Sequence, residues 1–132
     1  NFMTIKQLVN GMQHLGLPTN DIEKTIAFYE SLGFEVALRT VNEPVNEQVA
    51  FLRLGSVTIE TYENRAAAMQ NGAIDHIALD VSDVDAAFEQ VSKLGHTMLD
   101  SEVQFLPFWE RGVRFFTIQG PNHEKVEFSQ KL

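Results

Sequence analysis

Apolar and polar positions alternate along residues 11–18, where Leu15 and Leu17 point one way and His14 and Gly16 the other. A period of two marks a strand with one face buried. The pattern then changes to helical spacing, with Ile22, Ile26 and Tyr29 on one stripe. Asn20 stands at the N-cap position with Glu23 three residues on, a variant of the capping box. Gly33 supplies the left-handed stop. Strands are then expected over roughly 34–41, 47–54 and 57–63, with a tight turn at Gly55-Ser56.

The same grammar returns. Ile77, Leu79 and Val81 line a strand face, Ser82 caps with Asp85 at the third position, and Val84, Phe88 and Val91 form the helical stripe before Gly95. Strands follow at roughly 96–102, 112–119 and 124–129, with a turn at Gly120-Pro121-Asn122-His123. His14 and His76 are 62 residues apart, and so are Gly33 and Gly95, so no residue is gained or lost between them. Each half reads βαβββ. The expectation is an α+β fold in a single domain, 1–132, with halves at about 11–63 and 73–129 joined by 64–72. The second half holds extra residues near Phe105-Leu106-Pro107-Phe108-Trp109, a loop rich in aromatics.

Composition narrows the class. With no cysteine among 132 residues, disulfides, thiolate metal sites and thiol nucleophiles are excluded. The net charge of −8 argues against a nucleic-acid partner, which needs a basic face. No apolar run nears the ~18 residues of a membrane span, and no secretory h-region is visible. A cytoplasmic protein acting on a small molecule, without a membrane partner, is expected.

The candidate chemistry lies on the polar side of the strands. His14 opposes Leu15 and Leu17, and His76 opposes Ile77 and Leu79. Glu60 opposes Val57 and Ile59, and Glu127 opposes Val126 and Phe128. All four therefore share the face away from the helices. Two carboxylates placed there without partners would cost several kcal/mol. One divalent ion held by His14, Glu60, His76 and Glu127 removes that cost, and Zn, Ni, Co, Fe or Mn suits such donors. Two half-domains that each bring one His and one Glu could close this site on their pseudo-twofold axis. A lone strand histidine is more often structural, and repetition is what favours the ligand reading here. His96, after a helix-stop glycine, is expected to pack, and His123, in a turn, to face solvent.

Gln13-His14-Leu15-Gly16-Leu17, Ala27-Phe28-Tyr29-Glu30-Ser31-Leu32-Gly33-Phe34, Asp75-His76-Ile77-Ala78-Leu79-Asp80-Val81 and Val126-Glu127-Phe128 resemble the vicinal oxygen chelate superfamily. The resemblance covers about residues 11–129 and implies paired βαβββ modules forming a metal-binding cup (the glyoxalase/bleomycin resistance/dioxygenase fold). In glyoxalase I the ligand order is His, Glu, His, Glu, which falls on His14, Glu60, His76 and Glu127. It implies proton transfer next to a carbonyl through a metal-bound enediolate, with Glu127 as the mobile base, Glu60 as ligand and partner base, and a homodimer.

Relatives with three ligands, or with Gln at the place of Glu60, fit less well. Where bacterial glyoxalase I carries Lys-Gly-Gly, this chain has Trp109-Glu110-Arg111-Gly112-Val113-Arg114, so glutathione contacts do not carry over. Two other readings stay open: an epimerase of another 2-oxo or acyl-thioester substrate, and a non-catalytic binding or resistance protein. Phe105, Phe108 and Trp109 suit an apolar pocket in the last case, and equally a core or dimer contact. Arg39, Arg53, Arg111 and Arg114 are candidates for a substrate anion.

Overall fold

The computed structural model describes residues 3–132, so the first two positions of the expected domain lie outside the described residues. After a four-residue helix α1 (Ile5–Leu8), the first half runs β1 (Leu15–Pro18), α2 (Ile22–Ser31), β2 (Glu35–Asn42), β3 (Glu47–Leu54) and β4 (Val57–Tyr62). The second half runs β5 (His76–Asp80), α3 (Val84–Ser92), β6 (Thr97–Met98), β7 (Gln104–Leu106), β8 (Val113–Gln119) and β9 (Lys125–Lys131). Two sheets result, ordered β1-β4-β3-β2 and β5-β9-β8-β6, with β7 paired to β8. The first strand of each half lies parallel to the last, β1 on β4 and β5 on β9, and the other pairings are antiparallel. The expected α+β arrangement of two βαβββ modules is the one observed.

Three details differ from expectation. The first strand starts at Leu15 rather than near residue 11, because the ladder to β4 begins only there. The helix caps are Asp21 and Asp83, one residue later than Asn20 and Ser82; their side chains accept from the Lys24 and Ala86 amides. Asn20 is otherwise engaged: its amide donates to Asn122 Oδ1 and its Oδ1 accepts from the Ala67 amide. The strand expected at 96–102 shrinks to β6, and the inserted residues form β7 as an additional strand.

Each helix covers one face of its own sheet. Ile22, Ile26 and Tyr29 pack with Ala50, Leu52 and Ile59, while Val84 and Val91 pack with Phe116, Ile118, Val126 and Phe128. Each helix is also tied to its half's last strand or the residue just after it: the Ile22 amide donates to Glu63 Oε2, and the Val84 amide to Gln130 Oε1. Glu63 lies three residues after Glu60 and Gln130 three after Glu127, so the repeat extends to this link.

The halves meet through α2, His96 and the β8–β9 turn. The Thr25 hydroxyl donates to Thr19 Oγ1 (2.8 Å), the Thr19 hydroxyl to Asn122 Oδ1 (3.2 Å), and Asn122 Nδ2 back to Thr25 Oγ1 (3.0 Å). Every member of this buried ring is satisfied. Beside it the buried Tyr29 hydroxyl donates to Glu124 Oε2 (2.8 Å). Among the described residues no matching hydrogen bond joins α3 to the β3–β4 turn. The contact between the halves is therefore not the pseudo-twofold one the repeat suggested.

Burial pushes the Tyr29 phenol well above the ordinary tyrosine range, and the Glu124 carboxylate adds to it. A raised folded-state value means that the stability contribution is whole below the unfolded value of about 10 and is lost as pH rises beyond it. Urea unfolding should therefore show stability falling above about pH 10, with a shallower fall for Tyr29→Phe. The variant should also lose about 0.5–1.5 kcal/mol at neutral pH. Parallel curves for the two proteins would contradict this.

Candidate metal centre

In β1 and β4, Gly16 stands opposite Glu60, so His14, two residues before Gly16, shares its face with Glu60. Ile59 and Thr61, buried, point to the helix side. In β5 and β9, Ala78 stands opposite Glu127, which puts His76 on the same face as Glu127. Each half thus presents one imidazole and one carboxylate on its open face. His14 Nε2 lies 3.3 Å from Glu60 Oε1, and His76 Nε2 lies 3.5 Å from Glu127 Oε1. Phe51 meets the His14 ring edge-on at 5.7 Å and fixes its plane.

The second nitrogen of each ring determines what the first one offers. His14 Nδ1 bonds Gln13 Oε1 at 3.0 Å, and His76 Nδ1 bonds Asp75 Oδ2 at 2.8 Å. Both partners are acceptors, so in the neutral ring the proton sits on Nδ1 and the Nε2 lone pair faces a carboxylate oxygen. Two lone pairs at that distance repel unless a cation lies between them. Donors held about 2.0–2.2 Å from one ion are themselves about 3 Å apart, and the two spans suit that bite. A ligating histidine whose other nitrogen is held by a carboxylate or amide oxygen is the usual support for a metal. The donor set fits a divalent ion.

The four residues are not one cluster. Among the described residues no group of three or more His, Asp or Glu side chains is gathered closely enough to hold a metal. The structure brings His14 to Glu60 and His76 to Glu127, and leaves the pairs separate. The physical reason is the asymmetric contact between the halves, made by α2 and the β8–β9 turn instead of by the two open faces. β1 and β5 each remain the outer strand of their own sheet. Between them lies a cavity of about 400 Å³, lined by β1, residues 67–75 and the start of β5.

Other candidates fall into place. Arg39 pairs with Glu23 and Arg114 with Asp85, each tying a sheet to the first turn of a helix, so neither guanidinium is free for a substrate anion. Arg53 and Arg111 are exposed. His96 packs on Phe28 (4.6 Å) and bonds Ser31 Oγ (2.7 Å), and burial holds its imidazole below the usual range. His123 is exposed, with its Nδ1 on the Met69 carbonyl oxygen. Gln13 and Asp75 were missed as site residues, although each directly precedes a repeated histidine. Bonds to His76 and Lys125 hold the Asp75 carboxyl below the usual carboxylate range.

Two sheets of this topology, each with one His–Glu couple on its open face, point to a known superfamily. Residues 11–128 match the model of the Glyoxalase/Bleomycin resistance protein/Dioxygenase superfamily, and the chain belongs to it. It is 32% identical over 127 residues to the uncharacterized protein YwbC of Bacillus subtilis (strain 168), covering 91% of this chain and 97% of YwbC. Among solved structures it is similar to the fosfomycin resistance protein FosX of Listeria monocytogenes in complex with Mn(II) and sulfate: TM-score 0.72, 19% identity, 94% of each chain. It is also similar to a glyoxalase I variant from Zea mays: TM-score 0.73, 20% identity, 91% of this chain and 44% of that one. At these identities the structural likeness shows the fold.

The Nδ1 anchors make a spectroscopic prediction. In metal-free protein, nitrogen-15 shifts should report the Nδ1–H tautomer for neutral His14 and His76, and Asp75→Ala should shift the balance at His76 alone. Dominance of the Nε2–H form in the wild type would contradict the lone-pair geometry.

Proposed function

We propose that the protein is a metal-dependent isomerase of the glyoxalase I type, moving a proton between carbons next to a carbonyl. The observation that carries this reading is the pair of matched His–Glu couples, each with an imidazole Nε2 turned toward a carboxylate on an open sheet face. His14, Glu60, His76 and Glu127 would hold one divalent ion. Such an ion acts as a Lewis acid toward a carbonyl oxygen and stabilises the negative charge that develops on it. Mn(II) in FosX, a protein of the same fold, supports a divalent ion here.

The chain's own residues supply the proton chemistry. Glu127 takes the proton from the substrate carbon and returns it to the neighbouring carbon, and Glu60 serves as ligand and partner base. Gln13 and Asp75 hold the two imidazoles in the orientation that leaves Nε2 free. Four donors require both couples at one point, and one chain keeps them apart. The reading therefore includes a second copy. Laying the outer strand β5 of one copy beside the outer strand β1 of another would bring His76 and Glu127 of the first to His14 and Glu60 of the second. Twofold symmetry then makes two equal centres per dimer.

Three measurements test this together. Sedimentation equilibrium should give a dimer, and metal analysis of protein purified without a nickel column should give one ion per chain. An assay with methylglyoxal plus a thiol should show turnover that divalent ions restore after chelation. At equal metal occupancy Glu127→Gln should lower turnover by about 10²–10⁴-fold, because an amide cannot accept the proton, and Glu60→Gln should cost less. Full activity of metal-bound Glu127→Gln would end the proton-transfer role. Absence of both metal and turnover would leave a small-molecule binder of the same fold.

A further inference from the structure

The second half builds an aromatic loop that none of the steps above uses. Phe105, Phe108 and Trp109 are 56%, 55% and 69% exposed, yet the loop is held firmly. Gly112 adopts φ +95 beneath it, and a β-carbon there would lie 2.4 Å from the Phe105 ring. Trp109 takes a left-handed φ of +62, a conformation that bulky side chains rarely adopt. The Lys131 ammonium sits 3.8 Å from the centre of its indole. The Leu132 amide donates to the Gly112 carbonyl oxygen at 3.0 Å and fastens the loop to the end of β9.

Register places this loop relative to the site. Val113, Phe115 and Thr117 of β8 stand opposite Lys131, Ser129 and Glu127 of β9, so all six side chains share the open face. Val113 is nevertheless only 7% exposed. The open face must be covered at that end, and Leu106, which pairs with Val113, and the loop that follows are what lies there. The open face therefore leads from Glu127 past Ser129 and Phe115 to Lys131 and Trp109, a distance of four residues or about 13 Å. Strained backbone that carries no burial in return is found where a ligand is clamped.

We propose that Trp109, held by Lys131, and its neighbour Phe108 form a distal subsite for a flat apolar group of the substrate, aromatic in preference. That group lies about 13 Å from the substrate carbon that faces Glu127. Offset or edge-on stacking on the indole and on Phe108 supplies the attraction. The inference rests on the reading of Glu127 as the reacting end, and it extends that reading to a substrate class: a carbonyl compound with an extended, aryl-ended tail.

Trp109 is the single tryptophan of the chain, so tryptophan emission, excited selectively, reports on this loop alone. The full chain should be titrated with 8-phenyloctyl methyl ketone, whose extended tail spans the distance, and, as control, octyl methyl ketone. Both carry the same methyl ketone, so metal content affects the two alike and does not decide the difference between them. The aryl ketone should change the emission saturably, at least about tenfold more tightly than the control. Phe108→Ala, which keeps the reporter, should abolish that advantage. Equal affinity for the two ketones, or an unchanged aryl advantage in Phe108→Ala, overturns the subsite. Selective aryl binding combined with full turnover by Glu127→Gln would uphold the subsite and discard the isomerase reading.

Discussion

An imidazole nitrogen with its lone pair outward, set against a carboxylate oxygen, is a costly arrangement for a protein to build without a cation. This chain builds it twice. In each half a neighbouring acceptor, Gln13 or Asp75, binds the far nitrogen, so the neutral ring turns its near lone pair toward the glutamate. Strand register sets the facing distance, because His and Glu occupy the same face of two parallel neighbours. The helices, caps and cores serve this geometry by burying the opposite face of each sheet, where the alternating apolar residues lie.

Much of that was legible in the sequence because it depends on short-range periods. The alternation about Leu15 and Ile77 told which side each histidine would take. The constant spacing from histidine to helix-stop glycine told that the halves would match. The first cap moved from Asn20 to Asp21, with Asn20 drawn into a link with Asn122 and Ala67 that spans the chain and leaves no local signature, while the second moved from Ser82 to Asp83 without such a link. The strand β7 was missed for a related reason: it exists only by pairing with β8, and its three residues carry no readable period.

The convergence of the four donors was the expectation that a single chain does not meet. A repeat in sequence fixes what each half contains but not how the halves pack. Here the packing is decided by a buried polar ring of Thr19, Thr25 and Asn122, together with the Tyr29–Glu124 bond. Those residues belong to α2 and its approach on one side and to the β8–β9 turn on the other, and they have no counterparts related by the repeat. The contact they make is directional, so it selects one packing of the halves, and the selected packing keeps the two open faces apart. The outer strands β1 and β5 stay unpaired at their free edges, a condition that proteins usually relieve by covering or pairing the edge.

The central claim is that each centre takes one couple from each of two copies, and mixing two inactive variants tests it most directly. His14→Ala loses the first couple and keeps the second; His76→Ala does the reverse. After unfolding and co-refolding in equal amounts, about half of the dimers should be mixed, and each mixed dimer should contain one intact centre of two. Bound metal and turnover should therefore return to about a quarter of the wild-type level in the mixture, while each variant alone stays inactive. Failure of the mixture to regain metal or activity, with both variants folded and dimeric, would place all four ligands within one chain and contradict the account.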